Sequence, residues 1–83
     1  MTRFTINLHN IDGVKLFSYL MSQVHSEADI CVGRYIIDAK SIMGLFSLTL
    51  DQDVVMVIHE RVDGEAEKIY QMMKDNGFLV EEV

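Results

Sequence analysis

The chain has 83 residues, enough for one domain of 1–83, and a fold of this size buries only about 60% of the surface its unfolded chain exposes. Hydrophobic residues make up 49% and charged residues 24%, a globular balance that predicts a small compact core rather than a disordered segment. Thirteen acidic against seven basic residues leave a net charge of -6, which repels phosphate backbones and anionic membrane surfaces, so direct nucleic-acid and membrane binding are not expected.

Cys31, the one cysteine, lies in the apolar run Ile30-Cys31-Val32, where a small buried side chain fits and no internal disulfide can form. With no basic start leading into an apolar stretch and no apolar run long enough for a bilayer, the expected location is the cytoplasm.

Phe4-Thr5-Ile6-Asn7-Leu8 alternates apolar and polar residues, the period of a strand buried on one face. Over Asp12 to Val24 the polar residues Lys15, Ser18, Ser22 and Gln23 gather on one side, leaving Phe17, Leu20, Met21 and Val24 on the other. This predicts an amphipathic helix with Asp12 as its N-cap. Ile30–Val32 and Tyr35–Asp38 read as short strands, joined through Gly33-Arg34 in a type II′ hairpin.

Ser41 to Leu48 reads as a brief helix with a serine at its start, Asp51 to Asp53 as a turn, and Val54–Ile58 as a solidly apolar central strand. A last helix is expected from near Asp63, with Glu65 and Glu67 in its first turns, Ala66, Ile69, Tyr70 and Met73 on its apolar face, Lys74 in its last turn and Gly77 at C′. The order β-α-β-β-α-β-α predicts an α+β open-faced sandwich, a four-stranded antiparallel sheet covered on one face by helices.

The ten residues Ala39-Lys40-Ser41-Ile42-Met43-Gly44-Leu45-Phe46-Ser47-Leu48 closely resemble the segment around the regulatory serine of HPr proteins, the phosphocarriers of the bacterial sugar phosphotransferase system, in the form found in low-GC Gram-positive bacteria. Ala28-Asp29-Ile30 is similar to the start of that family's second strand, and Asp63-Gly64-Glu65 with Lys74 and Gly77 to its last helix, so the likeness spans nearly the whole chain. The resemblance implies the strand and helix order already read from periodicity.

The family carries a Gly-Leu-His-x-Arg-Pro type motif before its first helix, and here the sequence is Asn10-Ile11-Asp12-Gly13-Val14-Lys15-Leu16. Counting from the first strand sets Gly13 at the phosphorylated histidine, Lys15 at the arginine and Leu16 at the proline; counting back from Ile30 sets Asp12 there instead. Helix phase favours Gly13, because the Asp12 register would bury Gln23 and expose three of the four apolar residues. Neither residue supplies the imidazole that such a carrier needs at a helix N-terminus.

His9, a few residues upstream, is either a displaced acceptor or an ordinary strand-end histidine, and Asp12 is either an aspartyl acceptor or a cap. His25 and His59 lack ligand spacing, so no metal site is indicated, nor is any cofactor.

In the family, the residue matching Ser41 takes phosphate from a dedicated kinase, and the modified protein is a corepressor in carbon catabolite control. A dianion at a helix N-terminus meets free N–H groups, so Ser41 is read as either such a site or a cap alone. The resemblance also implies a partner-binding patch at Ile42, Met43 and Phe46 with Ser47 beside them, against the alternative that these residues are core. Of the basic residues that family carriers place on the first helix for docking, only Lys15 remains, which implies weak binding to the phosphate donor enzyme. The expected function is a non-enzymatic, HPr-like regulatory module with an HPr kinase, a transcriptional regulator or a sugar enzyme as partner. A phosphocarrier using His9, or a stand-alone interaction domain, is the alternative.

Overall fold

The computed structural model describes residues 2–80. Seven elements follow one another: β1 (Thr2–Ile6), α1 (Ile11–Met21), β2 (Glu27–Val32), β3 (Tyr35–Asp38), α2 (Ile42–Phe46), β4 (Val54–His59) and α3 (Glu65–Asp75). The strands form one antiparallel sheet in the order β1-β4-β2-β3, and the helices cover one of its faces, the open-faced sandwich expected from the periodicity. The central place of β4 explains its composition, since Val54, Val55, Met56, Val57 and Ile58 lie between two neighbours.

Alternation decides which side chains meet the helices. Val54, Met56 and Ile58 pair across β1 and β2 with Ile6, Phe4, Ile30 and Ala28 on the helix side. Against them pack Val14, Phe17 and Met21 of α1, Leu45 of α2, and Ile69 and Met73 of α3, all buried. Phe17 meets Phe78 edge-on at 6.2 Å, and Phe4 meets Tyr70 in the same way at 5.2 Å. Each buried aliphatic or aromatic side chain contributes about 1.5–3 kcal/mol, so these residues carry most of the stability.

The first helix is capped differently from the sequence reading. Asn10, not Asp12, is the N-cap, its Oδ1 accepting from the Gly13 N–H at 2.9 Å, and Asp12 lies inside the first turn. The cause is a reversal just before the helix. Asn7 Oδ1 accepts the His9 N–H at 2.8 Å, and His9 adopts φ 68°, which turns the chain early enough for Asn10 to take the cap. Helix phase is otherwise as expected: Phe17, Met21 and Val24 are buried and Leu20 partly so.

The β2–β3 turn has Gly33 at φ 55° while Arg34 keeps a negative φ, the II′ pattern. Strand β2 starts at Glu27, three residues earlier than its apolar run, because Glu27 and Asp29 sit on the open face between buried Ala28 and Ile30. The last helix ends in a Schellman motif: Phe78 N–H donates to Met73 O, Gly77 N–H donates to Lys74 O, and Gly77 has φ 77°. The chain then runs back along β1, with Ile6 opposite Leu79 and the Val80 N–H donating to Thr5 O at 3.0 Å. Among the described residues, no helix is long and apolar enough to cross a membrane.

Candidate functional site

Two places hold the residues singled out by the sequence, one at the start of α1 and one at α2, and these two helices pack on each other.

At α2, Ser41 is the N-cap: its Oγ accepts from the Gly44 N–H at 3.3 Å, its backbone oxygen accepts from the Leu45 N–H at 3.0 Å, and the residue is exposed. Ser41 is held from the other side by its own N–H, which donates to Asp38 O at 2.9 Å. Gly44 is needed here because a Cβ would stand 2.7 Å from Ile37 Cγ2 and 3.3 Å from Ser41 Oγ. The helix thus rests directly on β3.

A helix of five residues anchored by its glycine side and by buried Leu45 leaves its other side chains outside. Met43 is 79% exposed, and Ile42 and Phe46 are 40% exposed each. Ser47 is also exposed, with its hydroxyl donating to Gly44 O. The position of α2 is further fixed through Lys40, whose Nζ donates to Val24 O at 2.7 Å, tying the approach to α2 to the end of α1.

At the start of α1 the exposed positions are His9, Asn10, Ile11, Asp12 and Lys15. Lys15 forms no salt bridge among the described residues. Ile11 at 52% exposed and Tyr19 at 62% add apolar surface to α1 that sequence reading did not assign to a site. Its signal was present, since both fall on the polar side of the helical wheel.

Gly13 lies within the first turn rather than at its tip. A Cβ there would come 1.8 Å from Leu8 O and 3.4 Å from Phe78 Cε1, so no side chain fits without backbone movement. The residues at the tip are Asn10 and, just before it, His9.

His9 Nε2 is 2.8 Å from Gly77 O; a carbonyl only accepts, so Nε2 carries the proton and the neutral ring keeps its lone pair on Nδ1. Nδ1 is 3.9 Å from Asp51 Oδ1, and the ring stacks on Phe78 at 6.3 Å between centroids. His59 pairs instead with Asp29 on the open sheet face at 3.0 Å, and His25 lies in the loop between α1 and β2, so the three histidines do not converge. Among the described residues no group of three or more His, Cys, Asp or Glu side chains could hold a metal.

The loop after α1 is fastened to α3. Glu65 is buried, and its Oε1 accepts from the backbone N–H groups of His25 and Ser26. A hydrogen bond from the Ser26 side chain does most to hold the Glu65 carboxyl below the usual carboxylate range; burial opposes it, and the two backbone N–H groups reinforce it. The Ser26 hydroxyl oxygen in turn accepts the Arg61 N–H at 2.9 Å.

No protein-family model matches the chain, and no curated protein does. Among solved structures it is similar to the crystal structure of HPr-C-His from Thermoanaerobacter tengcongensis, with a TM-score of 0.71, 24% sequence identity and 100% of both chains covered. The fold is HPr-like. In that HPr-like frame the short helix α2, the tip of α1 and the open face of the sheet carry the exposed residues described above.

Proposed function

We propose that this chain is a non-transporting, HPr-like protein of the cytoplasm that acts as a regulatory protein-binding module, with the exposed side of α2 as its contact surface and Ser41 as a phosphorylation switch. The observation that carries the reading is the exposure of Met43, Ile42 and Phe46 on a five-residue helix whose N-cap, Ser41, is itself exposed. Methionine and phenylalanine are enriched in the cores of interfaces. A phosphoryl group on Ser41 adds a charge of about -1.5 to -2 next to that surface, enough to change which partner docks. The partners that fit are a kinase of the HPr type, a transcriptional regulator or a sugar enzyme.

Neither Gly13 nor Asp12 offers an imidazole, and the tip of α1 carries Asn10, an amide that cannot take a phosphoryl group in this chemistry. Incubation with an HPr kinase and ATP, followed by intact-mass measurement, tests the switch. One added phosphoryl group that is absent in Ser41→Ala supports it; an unshifted mass removes it. Capture of partners with wild type and Ser41→Asp then separates a switch from a constitutive interaction domain, for which binding is the same with both.

A second reading, phosphoryl transfer through His9, is favoured by one observation: Nε2 is occupied by Gly77 O while Nδ1 is left with its lone pair just ahead of α1. Asp51 near Nδ1 and Asp12 in the first turn oppose an added anion there. Phosphoenolpyruvate and the donor enzyme would produce an acid-labile, alkali-stable phosphate on His9 if this second reading holds.

A further inference from the structure

The side of β3 away from β2 is a free edge of the sheet. Val32 and Tyr35 flank a two-residue turn, so they close the hairpin as a hydrogen-bonded pair. From that pair onward the backbone groups of Tyr35 and Ile37 point to β2, whereas those of Ile36 point away from the sheet; the Asp38 carbonyl is already taken by the Ser41 N–H at 2.9 Å. Proteins blunt such an edge with proline, charged side chains, a short strand or a bulge. The four residues Tyr35-Ile36-Ile37-Asp38 contain no proline and no lysine, their single charge is at the end of the strand, and Tyr35 and Ile36 are 73% and 70% exposed. On the open face, Ile36 also ends a row that crosses the sheet from Thr5 through Val55 and Cys31.

We propose that this edge pairs with the same edge of a second copy of the chain, antiparallel about a two-fold axis through Ile36. The occupant is chosen by how the strand matches itself. With Ile36 opposite its own counterpart, the outward backbone groups of both copies meet in a hydrogen-bonded pair, and Arg34 of each copy falls opposite Asp38 of the other. Ile36 and Asp38 share the open face and Arg34 stands in the adjoining turn, level with Asp38 of the other copy, so the apolar contact at the axis is flanked at both ends by residues of opposite charge.

On the helix side Tyr35 falls opposite Ile37 of the other copy. Ile37 lines a groove of about 450 Å³ together with the chain's own Tyr35 and Ile36, with Val32 and Leu48, and with the polar Ser47, Thr49 and Gln52, which gives the incoming tyrosine a seat apolar for its ring and polar for its hydroxyl. An isologous contact of this kind closes on itself as a dimer of eight strands and leaves no further edge of the same type.

Arg34 and Ile36 lie outside the α2 surface, whereas Asp38 holds the Ser41 N–H with its carbonyl, so Ile36→Lys and Arg34→Asp are the variants that separate this inference from the proposed function. The test is sedimentation equilibrium of the full chain from about 10 μM to about 1 mM, where an edge contact this small is expected to show its association. Wild type should become dimeric across that range, and Ile36→Lys, which sets two like charges at the axis, should stay monomeric with an unchanged circular dichroism spectrum. Arg34→Asp and Asp38→Arg should each dimerise about 10-fold more weakly than wild type, because two attractive cross-strand pairs become repulsive. Mixed together, these two variants should recover a heterodimer, since every pair is again of opposite sign. A wild type that stays monomeric to the highest concentration overturns the proposal, as does a mixture no more associated than its components. Association that survives Ile36→Lys overturns it too, and assigns the edge to no role in self-pairing.

Discussion

Replacement of Gly13 by alanine gives the clearest test of how the start of α1 is built. On an exposed helical turn the change is favourable by about 1 kcal/mol, because alanine loses less backbone entropy than glycine. Here the new Cβ would sit 1.8 Å from the carbonyl oxygen of Leu8, a backbone atom that cannot swing aside as a side chain can. Leu8 is buried, and the next residue, His9, is already held at φ 68° by Asn7, so the segment has little freedom to yield. Relief therefore requires α1 to lift from the sheet. Overpacking costs about 1–3 kcal/mol, a backbone oxygen that cannot swing aside puts this site at the upper end, and after the propensity gain of about 1 kcal/mol is set against it the expected net loss is about 2 kcal/mol. For a chain of this size that lowers the thermal midpoint by roughly 8–16 °C and the urea midpoint by up to about 2 M. Urea and thermal unfolding followed by circular dichroism measure it. If Gly13→Ala is as stable as wild type or more so, position 13 is not wedged against Leu8 and the register described for α1 is wrong.

Glu65→Gln should remove part of the dependence of stability on acid. The folded-state pKa of Glu65 is depressed, so its contribution is complete above the ordinary carboxylate value and is lost as pH falls through the lower folded-state value. Wild type should thus be the more stable of the two at pH 7, and the gap should begin to narrow as the pH falls below the ordinary carboxylate value of about 4.3, closing once it is under the lower folded-state value, where both carry an uncharged group. A gap that widens in acid contradicts the assigned network. Asn10→Ala and Ser41→Ala each remove a side-chain cap and should each cost about 1 kcal/mol in urea unfolding, with no loss in either case refuting the cap. Met43→Asp should leave stability within about 0.5 kcal/mol, as expected of a surface position, while abolishing capture of partners; capture that is unaffected removes α2 as the contact surface.

Much of this architecture is legible in the sequence because burial leaves a period. The alternation at Phe4, Ile6 and Leu8, the solid run of β4 and the spacing of Ile69, Tyr70 and Met73 each reflect one face turned to a single core. Where two signals compete, the reading slips. Glu27 and Asp29 look like loop residues until the open face of the sheet gives them a place, since a strand with only one buried face tolerates charge on the other. The start of α1 slips for a different reason. Asp12 and Asn10 are both residue types that cap a helix, so residue type alone does not tell which of them begins α1. That distinction rests on the turn at Asn7 and His9, a local hydrogen bond with no periodic trace.

The candidate site divides in the same way. Ser41 and Gly44 are legible as a cap and a close contact because their chemistry is local. The contact of His9 with Gly77 and Asp51 joins residues far apart in the chain, and only the Schellman turn after α3 brings the Gly77 carbonyl to the imidazole. Glu65 likewise reads as a first-turn acid favoured by the helix dipole, while in the fold it is buried and fastens the loop at His25 and Ser26.

Under the proposed function, this HPr-like chain binds partners and does not carry phosphate from a histidine. The most direct test is intact-mass measurement after incubation with phosphoenolpyruvate and the phosphate donor enzyme of the phosphotransferase system, with an authentic HPr as positive control. The account predicts an unshifted mass under conditions that fully label the control. A phosphoryl group that appears on the wild-type chain and is lost in His9→Ala would contradict it.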